Sequence, residues 1–278
     1  MDALATLDRP FTARDVDRLE SAFLAEPQVD CPVSHHFGPG VYIREVVMPA
    51  GAYVIGHSHK DEHFNILLEG RLTLIREDGT RMEMAAPQTF VGSPGRKIAY
   101  IHETTRWQNV YATTETDVSV LEERLFDRSD AFEDAKGVKL LCDQSGARAD
   151  FQDAIALYGF TPERVQEISE DESDMVPLPF GEYKFTTAPS PIHGKGLFAT
   201  GNYAAGELVA VARLDGKRTL AGRFTNHSDK PNAEMFLCDD GNIYLLATAE
   251  ICGCGGGMVG EEITIDYRQA LSLSLGVH

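Results

Sequence analysis

The chain has 278 residues, more than the roughly 100–200 of a typical domain, so two hydrophobic cores joined by a connector are expected. Hydrophobic residues make up 43% and charged residues 24%, a composition that excludes collagen-like, wholly disordered and low-complexity chains. The formal net charge of −18 is repelled by phosphate backbones and anionic lipid, which argues against nucleic acid and membranes as partners. The opening MDALATLDRP carries neither a basic leader nor a long apolar run. No later stretch approaches the roughly 20 apolar residues of a membrane span, and a soluble cytoplasmic protein is expected. Cysteines Cys31, Cys142, Cys238, Cys252 and Cys254 are few, scattered and odd in number, which suits a reducing compartment better than a disulfide framework.

Residues 1–30 read as an N-terminal helix with its lead-in. In FTARDVDRLESAFLA (11–25), Thr12 and Asp15 stand at capping-box spacing, and Val16, Leu19 and Phe23 fall on one helical face. Residues 31–126 change to short β-rich runs: VYIREVVMP, AYVIGH, FNILLEG, RLTLIREDGT, RKIAYIH and RWQNVYAT. Strands this short and closely spaced predict a sandwich or barrel. The HHF and PG of 35–40 are expected to form a lead-in loop.

Within that region, Gly51-x5-His57-x-His59-x3-His63-x6-Gly70 resembles the first motif of the cupin family in its spacing, with His63 where a glutamate is usual. The resemblance covers about 41–125 and implies a small double-sheet barrel. Histidines one residue apart on a strand face the same side, and imidazoles suit zinc, iron, nickel or copper. His57, His59 and His63 are therefore the candidate ligands of a divalent transition metal. The family's second motif brings a further histidine after a Pro-x-Gly turn. Here Ser93–Pro94–Gly95–Arg96–Lys97–Ile98 offers none, and His102 is expected on the other face. The favoured reading of the barrel is therefore small-ligand sensing, partner docking or homodimerisation.

Residues 127–180 hold thirteen acids against five bases and read as a connector with two helices, about 150–158 and 161–169. The second is opened by Thr161–Pro162–Glu163. The run EDESD ends at Pro177 and Pro179, which break any helix. As a negative surface it is either a solvated linker or an attractor of a basic lysine peptide.

Residues 181–278 again alternate short strands with glycine turns, without a clear long helix. Three segments stand out: SPIHGKGLFAT (190–200), GRFTNHSDKPN (222–232) and GEEITIDY (260–267). Singly, each has a plain reading as a turn, a core histidine or an edge strand. Together, over about 183–268, they resemble the SET-domain family of lysine methyltransferases. The matching positions are Gly194–Lys195–Gly196, then Arg223, Phe224, Asn226, His227, Ser228, Pro231 and Asn232, then Glu261 through Tyr267. The resemblance implies several small β-sheets with a knot-like crossing of the Tyr267 segment beside the NHS segment. It also implies an S-adenosylmethionine (SAM) pocket at Gly194, Lys195, Gly196, Leu197, Arg223, Asn226 and His227. Tyr267 is the implied catalytic residue, orienting the amine, and a lysine-containing protein or peptide the implied substrate. His227 is expected to be structural rather than a general base, and Phe198, Phe224 and Tyr244 to pack in the core. Asp229 follows NHS where many members have cysteine, and no cysteine cluster follows Tyr267, so a zinc site after the domain is not expected. Cys252 and Cys254 fall short of four zinc ligands and are expected in a glycine-rich hairpin loop. The interval between Gly196 and Asn226 is short for a substrate-shaping insert.

The fold class expected is thus mainly β: a cupin-like barrel, an acidic helical connector and a SET-type unit of small sheets. The leading function is a SAM-dependent protein-lysine methyltransferase with an accessory barrel. A non-catalytic SAM-binding or structural module is the first alternative. A metal-dependent cupin oxygenase or isomerase regulated by the second unit is the other.

Overall fold

Strand alternation dominates the chain, and the computed structural model, which describes residues 7, 10–76, 78–139, 145–255 and 258–275, is accordingly mainly β. The chain divides into two units, Met1–Glu115, Val120–Lys139 and Cys254–Met258 in one, Thr116–Ser119, Leu140–Gly253 and Val259–His278 in the other. Among the described residues no helix is long and apolar enough to cross a membrane.

In the first unit, helix α1 (Ala13–Leu24) starts where its capping box requires. The Asp15 amide donates to Thr12 Oγ1 at 3.4 Å, and the Thr12 amide donates to Asp15 Oδ2 at 2.9 Å. Such a cap is worth about 1 kcal/mol. The apolar face buries Val16 and Leu19 against Leu7, Phe11, Ile75 and Ile98. Strands β1 (Val33–Gly38), β2 (Val41–Met48), β3 (Tyr53–Ile55), β4 (Ser58–His59), β5 (His63–Ile75), β6 (Arg81–Ala85), β7 (Gln88–Gly92) and β8 (Ile98–Ala112) follow. They pair in the order β1-β2-β8-β5-β6, with β3 on β8 and β7 on β5. The core under them holds Met48, Leu67, Leu72, Met84 and Ile101, where a fully buried leucine or isoleucine contributes about 1.5–3 kcal/mol. Gly70 lets β5 bend: its φ is +87° and the β5–β8 register shifts on both sides of it. A Cβ there would lie 2.4 Å from the Thr104 carbonyl oxygen, so only glycine fits this bulge. Helix α2 (Val118–Leu125), strand β9 (Phe126–Asp127), which pairs with β4, and helix α3 (Asp130–Lys139) come next.

The remaining chain runs through helices α4 (Ser145–Ala156) and α5 (Pro162–Glu170), strands β10 (Gly181–Tyr183), β11 (Phe185–Pro189), β12 (Lys195–Ala199), β13 (Leu208–Leu214) and β14 (Lys217–Arg218), and helix α6 (Leu220–Phe224). It ends with strands β15 (Asn226–His227), β16 (Ala233–Leu237), β17 (Ile243–Ala247), β18 (Cys254–Gly255), β19 (Met258–Val259) and β20 (Glu262–Ile265) and helix α7 (Tyr267–Leu275). Two small sheets carry the second unit, β11-β12-β20-β15 and β14-β13-β17-β16. Within the first of them β20 lies between β12 and β15 and pairs with β15 in parallel, Asn226 beside Thr264 and His227 beside Ile265. Leu197, Phe198, Ile263 and Ile265 are buried there.

Several expectations are corrected. Residues 35–38 are not a loop: they form β1, paired with β2 from Val33↔Val46 to Gly38↔Val41, and Gly40 with φ +73° makes the turn. FNILLEG and RLTLI form one strand, as do RKIAYIH and RWQNVYAT, because the long β5 and β8 pair with each other past the bulge at Gly70. Val118–Leu125, expected within the strands, is helical. Helix α3 was also unexpected; the Phe132 amide donates to Ser129 Oγ at 3.1 Å, and Asp130 and Glu133 suit its positive N-terminal end. Helix α7 begins at Tyr267, where the Arg268 amide donates to Asp266 Oδ1 at 2.9 Å. Cys252 and Cys254 stand at the start of the β18–β19 hairpin. Cys142 lies outside the described residues.

Candidate functional site

In the second unit the three sequence segments meet on one group of strands. The chain turns at Ser190–Gly194, where the Ser190 amide donates to the Gly194 carbonyl at 2.8 Å. Asn226, on β15, reaches across. Its Nδ2 lies 3.2 Å from the carbonyl oxygens of both His193 and Lys195, and 2.7 Å from Glu262 Oε1. The side chain thus clamps the Gly194–Gly196 segment to β20. Glu262 also accepts from Ser190 Oγ at 2.8 and 2.9 Å. Burial pushes its carboxyl above the usual range, against the pull of the Asn226 and Ser190 hydrogen bonds. Gly196 sits against this carboxylate, and a Cβ there would lie 2.2 Å from Glu262 Oε1. Gly194 differs: its φ is +51° and a Cβ there would meet nothing within 4 Å.

Both nitrogens of His227 are committed. Nδ1 accepts from the Tyr267 amide at 3.1 Å, and Nε2 lies 2.8 Å from Asp150 Oδ2. Because a main-chain N–H can only donate, Nδ1 is unprotonated and Nε2–H donates to Asp150, which leaves the ring no free base. Asp150 in turn pairs with Arg268 at 2.7 Å. That guanidinium first, and His227 second, pull its carboxyl down to about 2. The Tyr267 hydroxyl donates to the Thr225 carbonyl at 3.2 Å, and Phe151 packs edge-on to its ring at 5.8 Å. Burial, with Glu262 nearby, pushes the phenol up to about 12.

Other expected site residues lie elsewhere in the packing. Leu197 is fully buried core on β12. Lys195 is exposed, its Nζ 5.9 Å from the centre of the Phe224 ring. Arg223 donates from Nε to the Ser169 carbonyl at 2.9 Å and pairs through Nη1 with Glu172 at 2.8 Å. Arg218, buried, pairs with Asp174 at 2.7 Å. The acidic run after α5 is therefore partly neutralised by two arginines. Phe198 is core, and Tyr244 instead donates its hydroxyl to Asp240 at 2.8 Å. Asp150 was not singled out from the sequence, and Glu262 stood there only as part of the matched run Glu261–Tyr267, without a role. The signal for Glu262 was a second acid heading a strand of Ile, Thr and Ile; Asp150 gave none.

In the first unit, a cavity of about 450 Å³ opens between the strands and α1. His57, His59 and His63 all line it. His59 and His63 stack at 4.0 Å, His59 Nδ1 meets the Tyr111 hydroxyl at 2.9 Å, and His63 Nδ1 donates to the Asp61 carbonyl at 3.0 Å. His57 packs edge-on to Phe132 at 4.7 Å. Burial, with the charge of Arg44 and other cations added, holds His57 well below its ordinary range. Burial, then His63 and Arg44, brings His59 down to about 3, and burial lowers His63. All three are neutral at pH 7. Neutral imidazoles suit a transition metal as donors, but among the described residues no group of three or more His, Cys, Asp or Glu side chains is arranged to hold one. His102 faces elsewhere, its Nε2 2.6 Å from Thr73 Oγ1.

A row of polar residues crosses the sheet beside these histidines: His35, Arg44, Asn109 and Asn65 are successive cross-strand partners on β1, β2, β8 and β5. Asn65 Oδ1 accepts from Asn109 Nδ2 at 2.7 Å and from Trp107 Nε1 at 2.9 Å. His35, fully buried, meets the Tyr42 hydroxyl at 2.8 Å. Sequence reading assigned none of this row. Its only signal was a charge at the inward phase of VYIREVVM.

No protein-family model matches the chain, and no curated protein matches it. Among solved structures, the neighbours over about a third of the chain include cupin and RmlC-like proteins. An RmlC-like cupin family protein with a double-stranded β-helix fold from Methanocaldococcus jannaschii is 16% identical, covers 32% of this chain and 84% of its own, and has a TM-score of 0.26. A cupin-2 domain containing protein from Shewanella frigidimarina is 13% identical over 34% of this chain and 89% of its own, TM-score 0.25. A cupin superfamily protein from Desulfitobacterium hafniense is 7% identical over 34% and 86%, TM-score 0.26. Scores this low carry no argument, and the chemistry rests on the geometry above.

Proposed function

We propose that the second unit is a SAM-dependent protein-lysine N-methyltransferase and the first a small-ligand-binding barrel attached to it. The observation that supports this most directly is the convergence of residues 194–196, 226–227 and 262–267 on one set of strands, with the Tyr267 hydroxyl bonded to the Thr225 carbonyl. The residues present fit the donor: a Cβ at Gly194 would meet only open space, so the glycine turn leaves room beside Asn226 for the groups that would hold it. When bound, SAM supplies an electrophilic methyl carbon.

The remaining chemistry belongs to the chain. A lysine must be neutral to attack, and with a free pKa near 10.4 only about one in two thousand is neutral at pH 7, a penalty of roughly 4–5 kcal/mol. A dry site lowers that pKa and offsets part of the penalty. Tyr267, pushed up to about 12, stays a phenol at neutral pH and is not the base. Its hydrogen is given to Thr225, so its oxygen is left to accept from the amine N–H, which turns the nitrogen lone pair away from the phenol. Asn226 and Glu262 hold the glycine segment, and Asp150 with His227 fixes the turn into Tyr267.

The test is methyl-labelled SAM with a lysate depleted of its own methyltransferases. Label is expected on protein lysines, reduced about 100-fold in Tyr267→Phe, the usual scale for lost alignment of a reacting group. Donor binding by calorimetry without any transfer would support the non-catalytic module instead. An absence of binding would overturn both.

A further inference from the structure

Among the described residues, Arg44 is a charge on the wall of the first unit's cavity that no carboxylate pairs with. On β2, Arg44 points inward with Tyr42, Val46 and Met48, whereas Glu45 on the opposite face pairs with Arg106 at 3.3 Å and accepts from Gln108 at 2.6 Å. Of the other cations nearby, Arg96 is matched by Asp17 and Glu20 and Arg128 by Glu122 and Glu133, while Lys97, also on the wall, donates to the Ser93 and Pro94 carbonyls. Of the two acids at the cavity wall, Glu20 and Glu26, the first is thus already taken. Among the described residues no carboxylate lies within ion-pair distance of Arg44. Its Nε is buried without a hydrogen-bond partner, and its guanidinium lies 5.6 Å from the Phe126 ring centre.

From this geometry we infer that the cavity takes a small monocarboxylate with an apolar body, gripped by Arg44. The inference rests on the reading of the first unit as a small-ligand barrel and names the class of ligand. Arg44 is half-buried, and an unpaired guanidinium whose Nε is shut off from water is costly to keep, whereas a carboxylate matches its fork with two charge-assisted hydrogen bonds. Met48, Leu72, Phe90 and Trp107 supply the apolar wall, and about 450 Å³ is within the usual range for small-molecule sites. The fork of one guanidinium matches one planar carboxylate, whereas a phosphate dianion would also need Lys97, whose ammonium is already held by the Ser93 and Pro94 carbonyls. A divalent metal beside His57 and His59 would instead be repelled by Arg44. The net charge of −18 does not cancel this contact, because exposed charges beyond about 10 Å are screened.

The experiment is calorimetry on the full chain with benzoate and hexanoate, their neutral amides benzamide and hexanamide, inorganic phosphate and Ni²⁺. At least one carboxylate is expected to bind one to one, at least 10-fold tighter than its amide and than phosphate. Arg44→Gln should weaken it at least 10-fold, and Arg44→Lys, which keeps the charge without the fork, should fall between. In the ligand-free protein, Arg44→Met should raise the melting temperature by about 2–4 °C, since the unpaired charge is gone; a fall would overturn the inference. Amides binding as tightly as acids would leave a small-ligand barrel but sink the carboxylate. Failure of every acid and amide would sink both. Ni²⁺ bound through the histidines without carboxylate affinity would replace the inference with a metal site.

Discussion

At the scale of single residues, the second unit turns on a chain of committed donors: Arg268 and Nε2–H of His227 meet Asp150, and the Tyr267 amide meets Nδ1 of the same ring. Asp150 is the titrating member. Its folded carboxyl lies near 2 and its unfolded value near 3.9, so the unfolded chain binds the proton more readily. The stabilisation is complete above about pH 4 and is lost as pH falls toward 2. Much of the pair is solvent-exposed, and its worth is under about 1 kcal/mol. Asp150→Asn should therefore lower the melting temperature slightly at pH 7, and the difference from the wild type should shrink by pH 3. A gap that stays constant with pH would show that Asp150 acts through packing. His227→Phe should cost more, because it leaves the Tyr267 amide and Asp150 without their shared partner.

At the scale of elements, the two glycines of the 194–196 segment do opposite jobs, and substitution separates them. Gly196→Ala forces a Cβ onto Glu262 Oε1 and should cost about 1–3 kcal/mol as β12 is driven from β20. Gly194→Ala meets open space and should cost only the left-handed backbone, about 1 kcal/mol, with Gly194→Asn recovering part of it. Chemical denaturation of the three variants checks the order; Gly194→Ala as the more damaging change would refute it. The same elements show what sequence could reveal. The capping box of α1 was legible because Thr12 and Asp15 bond across one turn, and the three cavity histidines were legible because they lie within seven residues. Arg44, Asn109 and Asn65 were not, because they become neighbours only through the pairing of β2, β8 and β5. RKIAYIH and RWQNVYAT read as two strands, yet the Glu–Thr–Thr between them has no glycine or proline to turn the chain. The clamp of Asn226 was hidden for a similar reason: its partners, His193, Lys195 and Glu262, come from two other segments that the β12–β20 and β15–β20 pairings assemble.

At the scale of the molecule, a strongly acidic chain encloses a cavity on whose wall Arg44 stands without a paired carboxylate and whose histidines are held neutral. Unfolding would let each imidazole take a proton near pH 6.5. With the folded values lowered, the unfolded state binds more protons below that pH, so stability falls on acidification, continuing toward about pH 3 for His59. Each histidine kept neutral costs about 1.4 kcal/mol per pH unit in that window. The chain has a single tryptophan, Trp107, and it lines this cavity, so its fluorescence reports the first unit alone. The Trp107 transition should move to lower temperature by several degrees between pH 7 and pH 5, and His59→Gln should flatten that dependence. A wild-type transition that does not move between pH 7 and pH 5 would mean the imidazoles are solvated enough to charge in place. Saturating benzoate should raise the transition at both pH values if Arg44 holds it, because a ligand that binds only the folded barrel adds its binding free energy to the stability whichever charge state the unfolded histidines reach.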